Sequence, residues 1–324
     1  MKKWQIAVLD DYQNASLESA DWAVLRDRAD ITVFQDHLAD PEAVIERLLP
    51  FDLVCVMRER TPLPRKVMER LPNLKLIAST GSVNASIDLA AAADHGIAVL
   101  HTGYRSDPTI ELTWALILAS ARHIVTESNS VRSGGWQKTV GADLGGKTLG
   151  VLGLGNVGSQ VARIGSAFGM SLVAWSQNMT PETAKAAGAI LVSKNELFER
   201  ADILTIHLVL SSRTRGLVGA AELGRMKPTA RLINASRGPI VDEQALITAL
   251  QNKRLAGAAI DVFDIEPLPP SHPFRTLDNV LATPHIGYVS QGLYKTFYED
   301  TVSNIRKWLD APVRASDQTN SLWR

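Results

Sequence analysis

Three polar residues in the second half of the chain, Arg237, Glu266 and His285, each follow a short apolar segment that is typical of a buried strand. A guanidinium can hold a carboxylate through two parallel hydrogen bonds and polarise a neighbouring carbonyl oxygen. An imidazole can exchange a proton near neutral pH, and a carboxylate beside it fixes its tautomer and favours the imidazolium form. Each residue alone could be purely structural, but together they suit the reversible reduction of a 2-keto acid.

The apolar segments before these residues belong to a regular α/β series, with helical stretches such as 242–251 between them. In an open parallel sheet, ligands bind beyond the carboxyl ends of the strands. We therefore expect the three side chains to converge at one edge of a doubly wound sheet. The predicted strands of this sheet are 148–152, 171–174, 203–208, 230–234, 256–260 and 280–282.

A glycine-rich turn, Gly153-x-Gly155-x-x-Gly158, connects the first of these strands to a predicted helix at 157–168. In a dinucleotide-binding turn the first glycine permits the tight turn and the second lets the backbone approach a pyrophosphate. The third lets the helix pack on the strand. Similar spacings occur in methyltransferases and in ordinary turns. The motif therefore indicates nucleotide binding only together with the polar residues that follow the later strands.

A second α/β series precedes the glycine turn, and the central position of the turn predicts one domain inserted into another. We expect two doubly wound parallel-sheet domains, a Rossmann cofactor domain at 101–289 within a flavodoxin-like substrate domain at 1–100 and 290–324. The elements predicted for the substrate domain are strands at 6–9, 31–34, 53–57, 74–79 and 97–100 and helices at 41–49, 87–94 and 291–309.

The composition favours a small-molecule ligand. At 324 residues the chain exceeds the usual single core, and its 34 Lys and Arg balance 34 Asp and Glu, which offers no broad electrostatic footprint for nucleic acid. Cys55, the single cysteine, cannot form an intramolecular disulfide and is expected to pack as a small hydrophobe. Because no long apolar run occurs, we expect no membrane association and a cytoplasmic protein.

From about residue 53 to residue 288 the chain resembles the D-2-hydroxyacid dehydrogenase family. The stretch Asn234-Ala-Ser-Arg-Gly-Pro-Ile-Val-Asp242 is followed by Ala259-Ile-Asp-Val-Phe263 with Glu266-Pro267, and then by Pro284-His-Ile-Gly287. These three groups in one order and spacing carry most of the resemblance. Further matching pieces are 80–84, 87–89, 96–99, 132–136 and the glycine turn.

The resemblance implies roles for single residues. Arg237 would be the substrate clamp, Glu266 the partner of the base and His285 the acid and base. Asp261 would hold the nicotinamide carboxamide. The residues expected to bind substrate are Arg58, Ser82, Val83, Arg237 and His285, with the backbone of Ser82 and Val83 on the carboxylate and Arg58 at the distal end.

The cofactor is expected to be NAD or NADP, with the preference open. NAD-preferring sites usually place an acidic residue about 20 positions past the glycine turn, but no Asp or Glu occurs between Gly153 and Pro181. No Arg stands at the end of that strand to bind a 2′-phosphate either. The predicted cofactor-binding residues are Gly153, Gly155, Asn156, Val157, Gly158, Ser176, Gln177, Asn178, His207, Ala235, Ser236 and Asp261.

The segment 108–145 comprises a predicted helix at 108–121 and a polar stretch at 126–146 that is too long for an ordinary connection. It resembles the arm through which members of this family dimerise, so a homodimer is expected. The expected activity is hydride transfer between NAD(P)(H) and a small D-2-hydroxy acid or 2-keto acid, with no metal. The alternatives are a nucleotide-sensing corepressor and a phosphite-type dehydrogenase, because the triad of this chain also resembles the triads of those proteins.

Overall fold

The structure is a computed structural model that describes residues 2–311. The chain divides into two compact units, unit 1 up to residue 105 and again from residue 291, and unit 2 at 106–290. The division predicted from the sequence had its boundaries at 100/101 and 289/290. The end of the predicted substrate domain, 312–324, lies outside the described residues.

Residues 2–311 form twelve β-strands and eleven α-helices. The strands are β1 (Trp4–Val8), β2 (Ala29–Val33), β3 (Leu53–Val56), β4 (Leu76–Ser79), β5 (Ala98–His101), β6 (Thr148–Leu152), β7 (Ser171–Trp175), β8 (Ile190–Leu191), β9 (Ile203–Ile206), β10 (Arg231–Asn234), β11 (Gly257–Ile260) and β12 (Val280–Ala282). The helices are α1 (Pro41–Leu48), α2 (Arg65–Met68), α3 (Leu89–Asp94), α4 (Asp107–Ala121), α5 (Ile124–Arg132), α6 (Asn156–Ala167), α7 (Pro181–Ala186), α8 (Lys194–Arg200), α9 (Ala220–Arg225), α10 (Glu243–Gln251) and α11 (Gln291–Asp310).

Unit 1 is built on a parallel sheet of five strands in the flavodoxin-like order β2-β1-β3-β4-β5. The central strands β3 and β4 are buried at every position, as expected where helices cover both faces. Helices α1 to α3 pack on one face through residues such as Val44, Ile45 and Met68. Helix α11 contributes buried aromatic rings, and Tyr298 contacts the indole of Trp22 with 6.4 Å between ring centroids.

Local signals explain where the helices of unit 1 begin. The side chain of Asp40 accepts a hydrogen bond from the N–H of Glu42, and Pro41 occupies the first turn of α1, where no donor is needed. Asp88 caps α3 in the same way by accepting from the N–H of Ala91. The chain therefore turns from strand to helix at defined points, which sets the lengths of the loops at the sheet edge.

Unit 2 is built on a parallel sheet of seven strands in the order β12-β11-β10-β9-β6-β7-β8. The chain first runs outward from β6 to β8 and then returns to β9 on the other side of β6, so the strand order reverses between β6 and β9. In doubly wound sheets this switch point is where a dinucleotide binds. The glycine turn follows β6 directly and therefore lies at the switch point.

Both faces of the unit 2 sheet are covered. Helices α8, α9 and α10 bury Phe198, Leu223 and Leu246 on one face. Helices α4 and α6 bury Ile117 and Val161 on the other. The fold class predicted from the sequence, two doubly wound parallel-sheet domains with the Rossmann domain inserted, is confirmed.

The predicted strands differ from the observed ones by one or two residues at their ends, and 148–152 and 280–282 agree in full. The prediction of a polar connecting stretch at 126–146 was wrong in part, because α5 occupies Ile124–Arg132. This helix exposes Ile124, Val125 and Val131, so it lacks the buried apolar stripe that reveals a helix in a sequence. The prediction also missed β8 and the short helices α2, α7, α8 and α9.

Cys55 lies in β3 and is 4 % exposed. Burial raises the pKa of its thiol to about 12, so the thiol stays protonated and packs as a small apolar group. In the described part of the chain, no helix has both the length and the apolar character needed to cross a membrane.

Candidate active site

The glycine turn between β6 and α6 leaves almost no room for side chains. Gly153 has a φ of +99°, and a Cβ there would lie 2.8 Å from the carbonyl oxygen of His207. A Cβ on Gly158 would lie 1.9 Å from the carbonyl oxygen of Gly153. Near Gly155, by contrast, no atom of the described residues lies within 4 Å of the Cβ position. Gly153 and Gly158 therefore permit close packing of the backbone, and Gly155 leaves open space.

The N-terminus of α6 fits a pyrophosphate. Gly155 is its N-cap, and within residues 2–311 no side chain caps this helix and no acidic residue occupies its first turn. The N–H groups of the first turn and the positive end of the helix dipole are therefore available to an anion, and the open space at Gly155 lets it approach the backbone. Of the other predicted residues, Asn156 donates from Nδ2 to Ser106 Oγ (2.9 Å), and Val157 packs against the core.

The residues predicted to bind the ribose follow β7. Ser176 is half-buried, whereas Gln177 and Asn178 are exposed. The N–H of Met179 donates to the carbonyl of Ser176 and closes a turn there. Because the three side chains are neutral, they can hydrogen-bond a ribose hydroxyl or a phosphate without the charge preference of an acid or an arginine.

His207 follows β9 and supports the glycine turn. Its Nε2 lies 2.9 Å from Thr205 Oγ1, and its carbonyl and Cβ face the positions where side chains are absent at Gly153 and Gly158. Burial lowers the pKa of His207 to about 4, so the ring is neutral at physiological pH. This side chain is built for packing and not for proton transfer.

Arg237 lies on the loop after β10, which the amide of Asn234 organises. Asn234 Nδ2 donates to the carbonyl of Arg237 at 3.0 Å, and Asn234 Oδ1 accepts from the N–H of Ser236 at 3.1 Å. Ser236 Oγ donates to the carbonyl of Leu208 at 2.6 Å, and Ala235 is buried. Ser236 thus connects this loop to the loop after β9, and Ala235 packs in the core.

The loop of Arg237 lies directly against the loop after β11. A Cβ on Gly238 would lie 2.2 Å from the carbonyl carbon of Phe263, so only glycine permits this approach. The N–H of Phe263 in turn donates to Glu266 Oε1 at 2.9 Å. The guanidinium and the carboxylate are therefore carried by two loops whose backbones touch.

His285 and Glu266 form the closest pair of the predicted triad. His285 Nδ1 lies 2.6 Å from Glu266 Oε2, and the two side chains are 22 % and 33 % exposed. A carboxylate at Nδ1 holds that nitrogen as the donor, which leaves Nε2 as the nitrogen that can exchange a proton with a ligand. The ring of His285 also meets Tyr288 edge-on, with 5.4 Å between centroids, while Tyr288 is itself buried.

The backbone of His285 adopts a left-handed conformation with a φ of +53°. This conformation is uncommon for a residue with a side chain, and it persists only where the surroundings enforce it. The N–H groups of the next two residues, Ile286 and Gly287, donate to Asp261 Oδ1 and Oδ2 at 2.9 and 2.8 Å. These two backbone N–H groups therefore attach the loop of His285 to the carboxylate of Asp261.

Asp261 is the acceptor that holds the loop of His285. It is 0 % exposed, and Thr283 Oγ1 also donates to its Oδ1 at 2.6 Å. Burial raises the pKa of Asp261, and the hydrogen bonds and the charge of His285 oppose this shift. Since three donors of one loop surround the carboxylate, Asp261 positions that loop. Its contact with the nicotinamide carboxamide stays a prediction.

The substrate-binding residues predicted in the first part of the chain lie in unit 1. Arg58 has a φ of +51°, its N–H donates to Thr80 Oγ1 at 2.9 Å, and its guanidinium lies 5.3 Å from the centroid of the Tyr104 ring. Ser82 and Val83 are exposed, and their backbone N–H groups donate to no described residue. Such a loop can offer N–H groups to a carboxylate.

Sequence reasoning missed three residues that hold the site together, namely Asn234, Thr283 and Gly238. Asn234 and Thr283 each follow the last apolar position of a strand, as the predicted residues do, so strand position could have indicated them. Gly238 carries no such signal, because a close approach between two loops shows itself only in three dimensions.

The switch-point glycine turn, the open helix N-terminus and the histidine paired with an acid define a pyridine-nucleotide-dependent oxidoreductase. The family model "D-isomer specific 2-hydroxyacid dehydrogenase, NAD binding domain" matches residues 114–287. The chain belongs to the D-isomer specific 2-hydroxyacid dehydrogenase family. This confirms the resemblance, the enzyme class and the use of NAD(P).

Individual relatives agree with this family. The chain is 43 % identical to a glyoxylate reductase of Aeropyrum pernix over 229 residues, 68 % of each chain. It is 38 % identical to the D-3-phosphoglycerate dehydrogenase of Methanocaldococcus jannaschii over 83 % of its own length, but it spans only 52 % of that relative. The crystal structure of a phosphoglycerate oxidoreductase from Vibrio cholerae superposes with a TM-score of 0.90, at 37 % identity and with 94 % and 99 % of the two chains covered.

The glycine turn yields a paired test. We expect Gly158→Ala to lower the free energy of unfolding by about 1–3 kcal/mol, because its methyl group would overlap a backbone carbonyl. Gly155→Ala has open space and should leave stability unchanged while weakening NAD(H) binding by about tenfold or more. Thermal denaturation and fluorescence titration with NADH measure the two effects. Equal stability losses in both variants would contradict this account of the turn.

A second test concerns the positioning carboxylate. We expect Asp261→Asn to lower kcat by about 10- to 100-fold, because the new amide nitrogen cannot accept from a loop N–H. The Kd for NADH should change little. Asp264→Asn, a matched variant at an exposed acid three positions away, should behave like the wild type. Full kcat in Asp261→Asn would show that the loop needs no buried acceptor.

Proposed function

We propose that this enzyme interconverts a small 2-keto acid and the corresponding D-2-hydroxy acid, with Arg237, Glu266 and His285 as its reacting residues. The observation that supports this most strongly is the 2.6 Å contact between His285 Nδ1 and Glu266 Oε2 at the carboxyl edge of a nucleotide-binding sheet. Bound NAD(P)H supplies the hydride. The residues of the chain must then bind the acid, orient it and move one proton.

In this proposal His285 moves the proton. Glu266 accepts from Nδ1 and fixes the orientation of the ring, so that Nε2 of the protonated ring can donate a proton to the alkoxide that forms as the keto carbon is reduced. In the oxidation direction the same Nε2 takes the hydroxyl proton. Glu266 keeps its own position because it also accepts from the N–H of Phe263.

Arg237 is proposed to hold the substrate carboxylate and to stabilise the developing negative charge on the neighbouring oxygen. Two hydrogen bonds between the side chain of Asn234 and the backbone hold its loop, and Nη1 of the guanidinium donates to the carbonyl of Ser236 at 2.8 Å. In unit 1, Ser82 and Val83 are proposed to bind a carboxylate through their backbone N–H groups. Arg58 is proposed to contact the distal end of the substrate.

The substrate is proposed to be small. The relatives named above include a glyoxylate reductase, which is 43 % identical to the chain over 68 % of each chain. Glyoxylate, hydroxypyruvate and pyruvate are therefore the first candidates. Whether NAD or NADP is preferred is left open by the neutral side chains of Ser176, Gln177 and Asn178. No observation favours the corepressor or the phosphite-type alternative.

We also propose that the enzyme is a homodimer formed through α4, α5 and the stretch that follows. Apolar side chains are exposed along this segment, and their exposed fractions are well above those of a typical core residue. The values are 54 % for Ile124, 47 % for Val125, 58 % for Val131, 73 % for Trp136 and 94 % for Val140. Such a patch on a single chain marks an interaction surface.

The cytoplasmic location stays a prediction.

The activity is tested by assaying glyoxylate, hydroxypyruvate, pyruvate, branched keto acids and phosphohydroxypyruvate with NADH and with NADPH. We expect His285→Ala to lower kcat/KM for the best substrate by about 10²- to 10⁴-fold while NADH binding is kept. His272→Ala is the matched control, since His272 Nε2 also lies close to a carboxylate, 3.0 Å from Glu243 Oε1. It should stay within about twofold of the wild type. The proposal fails if no acid is reduced, or if both variants lose activity equally.

The dimer is tested with Ile124→Glu combined with Val131→Glu. Two charges on this patch should raise the dimer dissociation constant by at least about tenfold, as analytical ultracentrifugation would show. Ile190→Glu places the same charge at another exposed isoleucine of unit 2 and should leave the dimer intact. A monomeric wild type would refute the dimer without affecting the proposed reaction.

A further inference from the structure

A cavity of about 230 Å³ opens at the amino ends of β10, β11 and β12, the edge of the unit 2 sheet opposite to the glycine turn and His285. Its walls are formed by the end of α4, the start of α5 and the first residues of the three strands. The lining includes Ser120, His123, Val125, Arg231, Asp278 and Val280. The reaction proposed above uses none of these residues.

Arg231 gives this cavity its charge. It is the first residue of β10 and is half-buried, with Nε donating to the carbonyl of Ser120 at 3.2 Å and Nη2 lying 3.3 Å from His123 Nε2. No carboxylate of residues 2–311 lies within 4.0 Å of the guanidinium. Burial alone lowers the pKa of Arg231, which means that no nearby acid offsets the desolvation of its charge.

Other partly buried cations of unit 2 have acidic partners. Lys194 Nζ lies 2.8 Å from Glu222 Oε1, and Lys227 Nζ lies 2.8 Å from Asp202 Oδ1. Burying a charge without such a partner costs free energy. The charges of Lys194 and Lys227 are therefore balanced by carboxylates of the chain. The guanidinium of Arg231 has no carboxylate partner among residues 2–311 and can bind an anion.

The geometry of the guanidinium suits a carboxylate. Two of its five N–H donors are directed at Ser120 and His123, and the remaining three can form the fork that holds two oxygens. His123, which has a φ of +52° where α4 gives way to α5, accepts at Nε2 and thereby stays beside the guanidinium. Asp278 also lines the cavity, so the wall carries one acidic side chain besides Arg231.

The rest of the wall is mixed, with polar groups from Thr126 and Asn279 beside apolar ones. Small aliphatic side chains, those of Ala119, Ala256 and Ala258, line it together with Val125 and Val280. A group that fits this lining has a charged head and a short aliphatic stem.

We propose that the cavity binds a carboxylate on a short aliphatic stem, with the guanidinium of Arg231 holding the carboxylate. Two sources share this chemistry, a free short-chain carboxylic acid and an Asp or Glu side chain of a second copy of the chain. The second source is consistent with the position of the cavity, because Ala119, Ser120, His123, Val125 and Thr126 belong to the segment proposed to form the dimer.

The test compares Arg231→Gln with Arg254→Gln, which removes the same charge from an exposed arginine of unit 2 outside the cavity lining. Butyrate is titrated into each protein by calorimetry, and the dimer dissociation constant is measured by ultracentrifugation. Butyrate bound in the active site is common to both variants and cancels in the comparison. Ala119→Leu, which enlarges a wall residue and leaves Arg231 in place, serves as a second variant.

If the source is a free acid, Arg231→Gln and Ala119→Leu weaken butyrate binding by at least about tenfold and Arg254→Gln does not. If the source is the second copy, Arg231→Gln and Arg254→Gln bind butyrate with the same affinity, and Arg231→Gln raises the dimer dissociation constant by at least about tenfold. Either result supports the site. The proposal is overturned if Arg231→Gln matches Arg254→Gln in both measurements, or if it lowers only the melting temperature, which would make Arg231 purely structural.

Discussion

The carboxylate of Asp261 is the interaction on which the candidate active site depends. It is buried at the end of β11, yet it accepts from Thr283, Ile286 and Gly287, which flank His285 after β12. One acid on one strand thus fixes the loop of the next strand. The cost of burying this charge is met by hydrogen bonds from that loop, so the folded loop and the buried acid stabilise each other.

The same principle extends across the sheet edge. Asn234 orders the loop of Arg237, Gly238 lets that loop contact Phe263, and Phe263 donates to the carboxylate that meets His285. Two of these contacts, Gly238 with Phe263 and Glu266 with His285, join the ends of adjacent parallel strands. The side chains proposed to react can therefore be partly exposed to a ligand while the backbone of their loops is held by buried groups.

Much of the fold could be predicted from the sequence because its signals are local. Short apolar runs separated by helical patterns mark the buried parallel strands, and the fingerprint between Gly153 and Gly158 marks the switch point. Helices such as α5 escaped because their apolar residues face outward, and β8 escaped because two residues form no pattern. Positions of Arg237, Glu266 and His285 after three strands likewise indicated a common edge. The loop-positioning contacts of Asp261 could not be foreseen, since contacts between the loops of two strands show themselves only in three dimensions.

The sheet of unit 2 ends in very short strands on both sides. β12 has three residues and β8 has two. A long unprotected edge invites another chain to add a strand through its backbone, which leads to uncontrolled polymerisation. Here so few amide and carbonyl groups face outward that this route is closed. Assembly through unit 2 must then be specified by side chains, where single substitutions can set which copies meet and how many.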